Sequence, residues 1–214
     1  MTLANRNRMR AALLGLLVAL PCVQADAGDT GAAAWQQQLA AARASYYAGL
    51  EGDRAADAVA RERFASLERE HPHDATLQAY SGSLELLEAG RTWALWRKHT
   101  LSTEGLQQMD SAVNADPNNL EARFVRAFTT WHLPFFFHRK QQAEADLLFL
   151  GPRAEGAARS GALPPQLAAA ALDYWGQVLA DRDQGDAARH AFVAAVRVDR
   201  SSPGGADALK HLHE

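Results

Sequence analysis

One set of intervals recurs along this chain and restricts its fold more than any other feature. Ala48, Ala60, Phe64 and Leu67 stand 12, 4 and 3 residues apart, and Gly176, Ala188, Phe192 and Ala195 repeat the same steps without a gap. Gly105, Met109 and Ala112 reproduce the last two steps, and a proline follows five residues after Leu67 and after Ala112, at Pro72 and Pro117. Steps of three and four put residues on one face of an α-helix. Composition agrees with helix: 45 of the 214 residues are alanine and only 8 are proline. Such a chain favours helix over sheet.

Around Ala112-Val-Asn-Ala-Asp116-Pro117-Asn118-Asn119-Leu-Glu121-Ala122-Arg-Phe124, an alanine and an aliphatic residue end one helix. Asp-Pro-Asn-Asn makes the turn, and Glu-Ala opens the next helix. This segment and the recurring intervals resemble the tetratricopeptide repeat, a helix-turn-helix unit of about 34 residues. The resemblance implies an all-α, right-handed α-solenoid of about four helix pairs in an exported bacterial protein. Its units fall at 41–74, 75–119, 120–168 and 169–202, after an N-terminal extension at 26–40 and before a short C-terminal cap at 203–214. Gly82 and Ala127 take the small first-helix position of the two middle units. Small residues there let paired helices approach closely, while Phe64, Met109 and Phe192 fill the space between units. Arg200 stands where the pattern expects a proline, although Pro203 follows.

The two middle units exceed the family length by 11 and 15 residues, so each carries an insertion. In the second unit a long first helix is expected to run from Ala75 through Trp93 and Trp96. In the third, Pro134-Phe135-Phe136-Phe137 breaks the chain before a helix over 139–150. Gly151-Pro152 is expected to end that helix, leaving a short helical piece over 153–159 and a turn at Pro164-Pro165.

Residues 1–25 read as a secretory signal peptide. Arg6, Arg8 and Arg10 precede an apolar stretch over 11–20, and Val23-Gln24-Ala25 supplies the cleavage pattern. A lipobox would need a small residue before Cys22, where Pro21 stands. Cleavage after Ala25 removes three cations and the only cysteine, so the mature chain carries 19 basic and 25 acidic residues, a net of −6. A cysteine-free chain has no thiolate nucleophile, disulfide or thiolate metal site. The expected location is the periplasm. With a net charge of −3 for the full sequence, the chain is no general nucleic-acid binder. No stretch reaches the length of a membrane span, and no membrane contact is expected.

Catalytic signatures are missing. There is no phosphate-cradling glycine loop, no His-Glu-x-x-His and no Gly-x-Ser-x-Gly. The carboxylates mostly alternate with bases, as in Glu68-Arg69-Glu70 and Asp181-Arg182-Asp183, which reads as solvated helix surface. His71 and His73 flank a turn proline, and His211 and His213 point apart on a helix, so neither pair makes a good chelate. An enzyme built on the insertions would have to use His132, His138 or Asp146. No cofactor, metal or catalytic residue is expected.

The tetratricopeptide resemblance places ligands in a concave groove lined by first-helix positions. In the third unit those positions are Glu121, Phe124, Phe128, Trp131 and His132; in the fourth they include Asp173 and Gln177. An aromatic wall with carboxylates on one side suits a peptide bearing apolar and basic groups. The same aromatic spacing also suits a packed core, with Trp93, Trp96 and residues 135–137 folding back as cover. The basic and aromatic run Arg91-Thr-Trp93-Ala-Leu-Trp96-Arg97-Lys98-His99 suits an extended, partly buried helix, and also contact with an acidic partner or with headgroups. The expected function is a non-enzymatic scaffold or adaptor binding an envelope protein or peptide. The alternative is the small-ligand-binding component of a transport system, with its pocket closed by the insertions.

Overall fold

The computed structural model describes the backbone of residues 27–213, with side chains from residue 31. The expected signal peptide and Cys22 lie outside the described residues. Within these, the chain is all-α. Helices α1 (Ala27–Leu50), α2 (Arg54–Glu70), α3 (Ala75–Arg91), α4 (Leu95–Ala115) and α5 (Leu120–Trp131) precede a 3-10 turn at Phe135–Phe137. Then come α6 (Lys140–Ser160), α7 (Pro165–Ala180), α8 (Gly185–Asp199) and α9 (Pro203–His211). The chain divides into two units, Met1–Gln36 and Gln37–Glu214. The described part of the first is the opening of α1, and the second holds the remainder of α1 and all the other helices.

Short polar residues start several of these helices. The Asp53 carboxylate accepts from the N–H groups of Ala55 and Ala56, Asp74 from Leu77, and Asn119 from Ala122. Each such cap satisfies donors that the first helical turn leaves unpaired, and contributes about 1 kcal/mol. Helix α3 packs along α4 and α7 along α8, while α3 also meets α5 and α5 meets α7. The bulky and small interval positions supply the interior. Ala60, Phe64, Met109, Ala112, Ala127 and Ala195 are fully buried.

The segment expected to form the second repeat, 75–119, departs from expectation. Instead of one helix running through Trp93 and Trp96, α3 stops at Arg91 and α4 restarts at Leu95. The reason lies in two glycines. A Cβ on Gly82 would come within 2.6 Å of the Gly105 carbonyl, and one on Gly105 within 2.4 Å of the Gly82 carbonyl. For these backbones to touch, the chain must reverse midway between them, at Trp93-Ala94. Arg91 also anchors the end of α3, its guanidinium 2.7 Å from the Asp57 carboxylate and donating to the Gly49 carbonyl at 3.0 Å.

The segment expected to form the third repeat, 120–168, departs as well. Gly151-Pro152 does not end a helix, because α6 continues to Ser160. Leu147, Leu150, Ala154 and Ala157 form one buried stripe through it, and that burial outweighs the backbone hydrogen bond that proline removes. Gly151 is there for a close approach: an added Cβ would fall 2.0 Å from the Trp175 ring. The chain turns before Pro165, and the last helix, α9, starts at Pro203.

A polar network ties α4, α5 and α6 together. Arg126 donates from Nε and Nη2 to the two oxygens of buried Asp146 at 2.8 and 2.9 Å, and Arg123 reaches the same carboxylate at 2.6 Å. Asp110 on α4 takes Arg126, Arg139 and Gln142 at 3.2, 2.6 and 2.7 Å. Three guanidinium donors thus occupy the buried Asp146 carboxylate, two on Oδ1 and one on Oδ2.

Candidate functional site

Helix α5 carries the aromatic stripe, and its register decides which rings reach the surface. Phe124 is only 1% exposed and packs among Leu150, Leu167, Leu172 and Ala168. One turn on, Phe128 is half-buried, stacked on Phe124 at 5.8 Å and edge-on to Tyr174 at 5.9 Å. Trp131 is 9% exposed and packs on Ala127, Ala143, Leu147 and Val178. Exposed His132 ends the stripe, its Nε2 lying 3.2 Å from the Tyr174 hydroxyl. The stripe is therefore core at its start and surface at its end.

Tyr174 on α7 is the hub, with Phe128, Trp131 and His132 each 5.9 Å away between ring centres. Sequence reasoning missed it, although an aromatic beside Asp173 in an alanine-rich helix was a usable signal. Burial pushes its hydroxyl up to about 12, with Asp173 and Asp207 adding to the effect.

The three polar positions have different surroundings. Glu121 is buried and held by both arms of the Arg43 guanidinium, and the Tyr80 hydroxyl donates to it at 2.9 Å. It is committed inside the fold, far along α5 from His132. Asp173 is also buried, and Gln177 donates to its Oδ2 at 2.9 Å. Its Oδ1 accepts no hydrogen bond and lies 3.8 Å from His211 Nε2. Burial raises the Asp173 carboxyl from the usual 3.8 to about 6, opposed by His211 and by the Gln177 hydrogen bond.

Beside these groups an open depression of about 460 Å³ is lined by Trp131, Lys140, Gln177, Asp181, Phe192 and His211. Phe192 and His211 stack at 4.9 Å on one side. The Lys140 ammonium lies 3.7 Å from the centre of the Trp131 ring and 3.7 Å from an Asp181 oxygen. An aromatic face and a carboxylate thus already bracket one cation there.

The insertion aromatics do not cover this region. Trp93, Phe135, Leu95, Trp96 and Phe136 are 93, 88, 79, 76 and 61% exposed. Only Phe137 and Leu133 turn inward, against Leu86, Leu106 and Met109. His138 comes next in a left-handed backbone conformation, exposed to solvent. Among the described residues no three His, Cys, Asp or Glu side chains are placed to hold a metal ion, and no helix is long and apolar enough to cross a membrane. The chain matches no protein-family model, no curated protein and no solved structure.

Proposed function

We propose that the protein is a non-enzymatic, tetratricopeptide-like scaffold of the periplasm that holds a peptide segment of an envelope partner against α5 and α7. The supporting observation is the depression beside Trp131, with rings on its walls and Asp181 at its edge. Lys140, sitting between Trp131 and Asp181, exemplifies the kind of group that suits this surface: a long basic side chain with an apolar stem. Contacts between alternate helices, α3 with α5 and α5 with α7, support stacked helix pairs. The depression opens to solvent, which suits a peptide better than the enclosed pocket a small-ligand carrier would use.

A random-sequence peptide array probed with the protein tests this reading. Bound peptides are expected to pair Lys or Arg with Phe, Leu or Trp, and a Gln177→Arg, Asp181→Lys variant is expected to lose them. Both positions are at least partly exposed, so the fold is retained. Equal binding of basic peptides by the variant, or none by either protein, would sink the proposal.

A further inference from the structure

A second surface lies on the other insertion-built part of the molecule. The first half of α4 and the 3-10 turn enclose an open cleft of about 680 Å³. Leu95, Leu106, Phe136 and Phe137 give it an apolar lining, and Lys98, His99 and Arg139 are set among them. Trp93 and Trp96, either side of Leu95 in the sequence, and Phe135, next to Phe136, are large rings with most of their area in water. Leaving that much apolar surface uncovered costs the monomer roughly 1.5–3 kcal/mol per side chain relative to burial. Contiguous patches of this kind mark places where something docks.

Charge says what docks. Lys98, His99 and Arg139 line the cleft against a single carboxylate, Asp110, in a chain whose net charge is −3. Asp110 belongs to a network of Arg123, Arg126 and Arg139 with Asp110 and Asp146, which keeps one positive charge in excess beside Lys98. A second copy of the same face would bring like charges together, which disfavours self-association. A lipid surface would use the protruding rings but not a cleft with directional donors and acceptors from Ser102, Thr103 and Gln107. We infer that this cleft is a docking surface for an acidic, apolar segment of a partner protein, whose ring or leucine enters between α4 and Phe136 while its carboxylates meet Lys98, His99 and Arg139. The surface is separate from the Trp131 depression and does not depend on that reading.

The test uses a fluorescein-labelled peptide of Glu, Leu and Phe, followed by anisotropy and by the emission of Trp93 and Trp96. Binding is expected to weaken as salt rises and to fall about tenfold or more in a Lys98→Glu, Phe136→Ala variant. Because the apolar group removed is exposed, helicity and melting temperature should be unchanged. Asp181→Lys, in the other depression, should bind the peptide like the wild type. The inference is overturned if the peptide does not bind, or if its binding survives the Lys98→Glu, Phe136→Ala change. It is equally overturned if phosphatidylglycerol vesicles, and not the peptide, engage the protein through these residues, or if it dimerises through them.

Discussion

Two groups of aromatic residues in this molecule have opposite fates. On α5, Phe124, Phe128 and Trp131 are spaced four and three apart, so all three rings share one face and meet α6 and α7. In the turn after it, Phe135, Phe136 and Phe137 are consecutive. Successive residues of a 3-10 turn point about 120° apart, so only one of three can face the body of the protein. Phe137 does, and the others stand in water. Trp93 is excluded for a related reason, since it sits at the apex of the reversal that the Gly82–Gly105 contact demands. Spacing, not hydrophobicity, decides which aromatic is core. The polar residues differ as well: Asp181 and Lys140 line the depression beside the stripe, whereas Lys98, His99 and Arg139 outnumber one carboxylate, Asp110, in the cleft.

The sharpest way to break this contrast is to truncate one member of each group. Phe124→Ala should destabilise the protein by about 3–5 kcal/mol, whereas Phe135→Ala should change stability by less than about 0.5 kcal/mol. Calorimetric melting of the pair checks both, and similar melting temperatures would refute the assignment of core and surface. Asp146→Ala belongs with the large effects. It leaves Arg126 and Arg123 without their shared counter-charge, at a cost of about 3–5 kcal/mol. If urea titration shows Asp146→Ala as stable as the wild type, the network is decoration.

A smaller effect tests the reversal that exposes Trp93. Gly105→Ala improves helix propensity, but it pushes a methyl against the Gly82 backbone, which cannot swing away as a side chain would. A net loss of about 1–3 kcal/mol is expected in chemical denaturation. A stabilised Gly105→Ala protein would mean that the α3–α4 contact is loose and the apex at Trp93-Ala94 is set by something else.

Much of this was legible in the sequence, and the rest was hidden for identifiable causes. The helical class, the small positions Gly82, Gly105 and Gly176, and the start of α5 at its Asn119 cap could be read because spacing and capping are local. The continuation of α6 through Pro152 could not, because the buried stripe that sustains it depends on α7. Glu121 read as a groove residue because its partner, Arg43, is 78 positions away. The state of the insertion aromatics had two readings, cover for the stripe or open surface. Trp93, Trp96, Phe135 and Phe136 stand exposed, so they do not cover the stripe. Tyr174 was missed because its importance comes from three rings on another helix.

The smallest expected effect concerns the acidic border of the stripe. Asp173 has a folded-state carboxyl raised to about 6 by burial, against 3.8 ordinarily. The folded protein therefore binds this proton more tightly than the unfolded chain does, and stability from this group falls as pH rises between about 4 and 6, then stays level above that window. This sign is opposite to that of an ion-paired carboxylate such as one held by an arginine. His211 Nε2, 3.8 Å away, and Lys210 favour the charged form, and Asp207 disfavours it, so the net cost of the charge is a residue of opposing influences. Asp173→Asn keeps the shape and the contact with Gln177 while removing the charge. At pH 8 the variant should gain stability on the order of 1 kcal/mol, and near pH 4 it should match the wild type. Melting curves across that range decide the matter. A variant destabilised at pH 8 would show that the Asp173–His211 pair holds α9 to α7 by attraction. Asp173 would then be a structural clasp between α7 and α9.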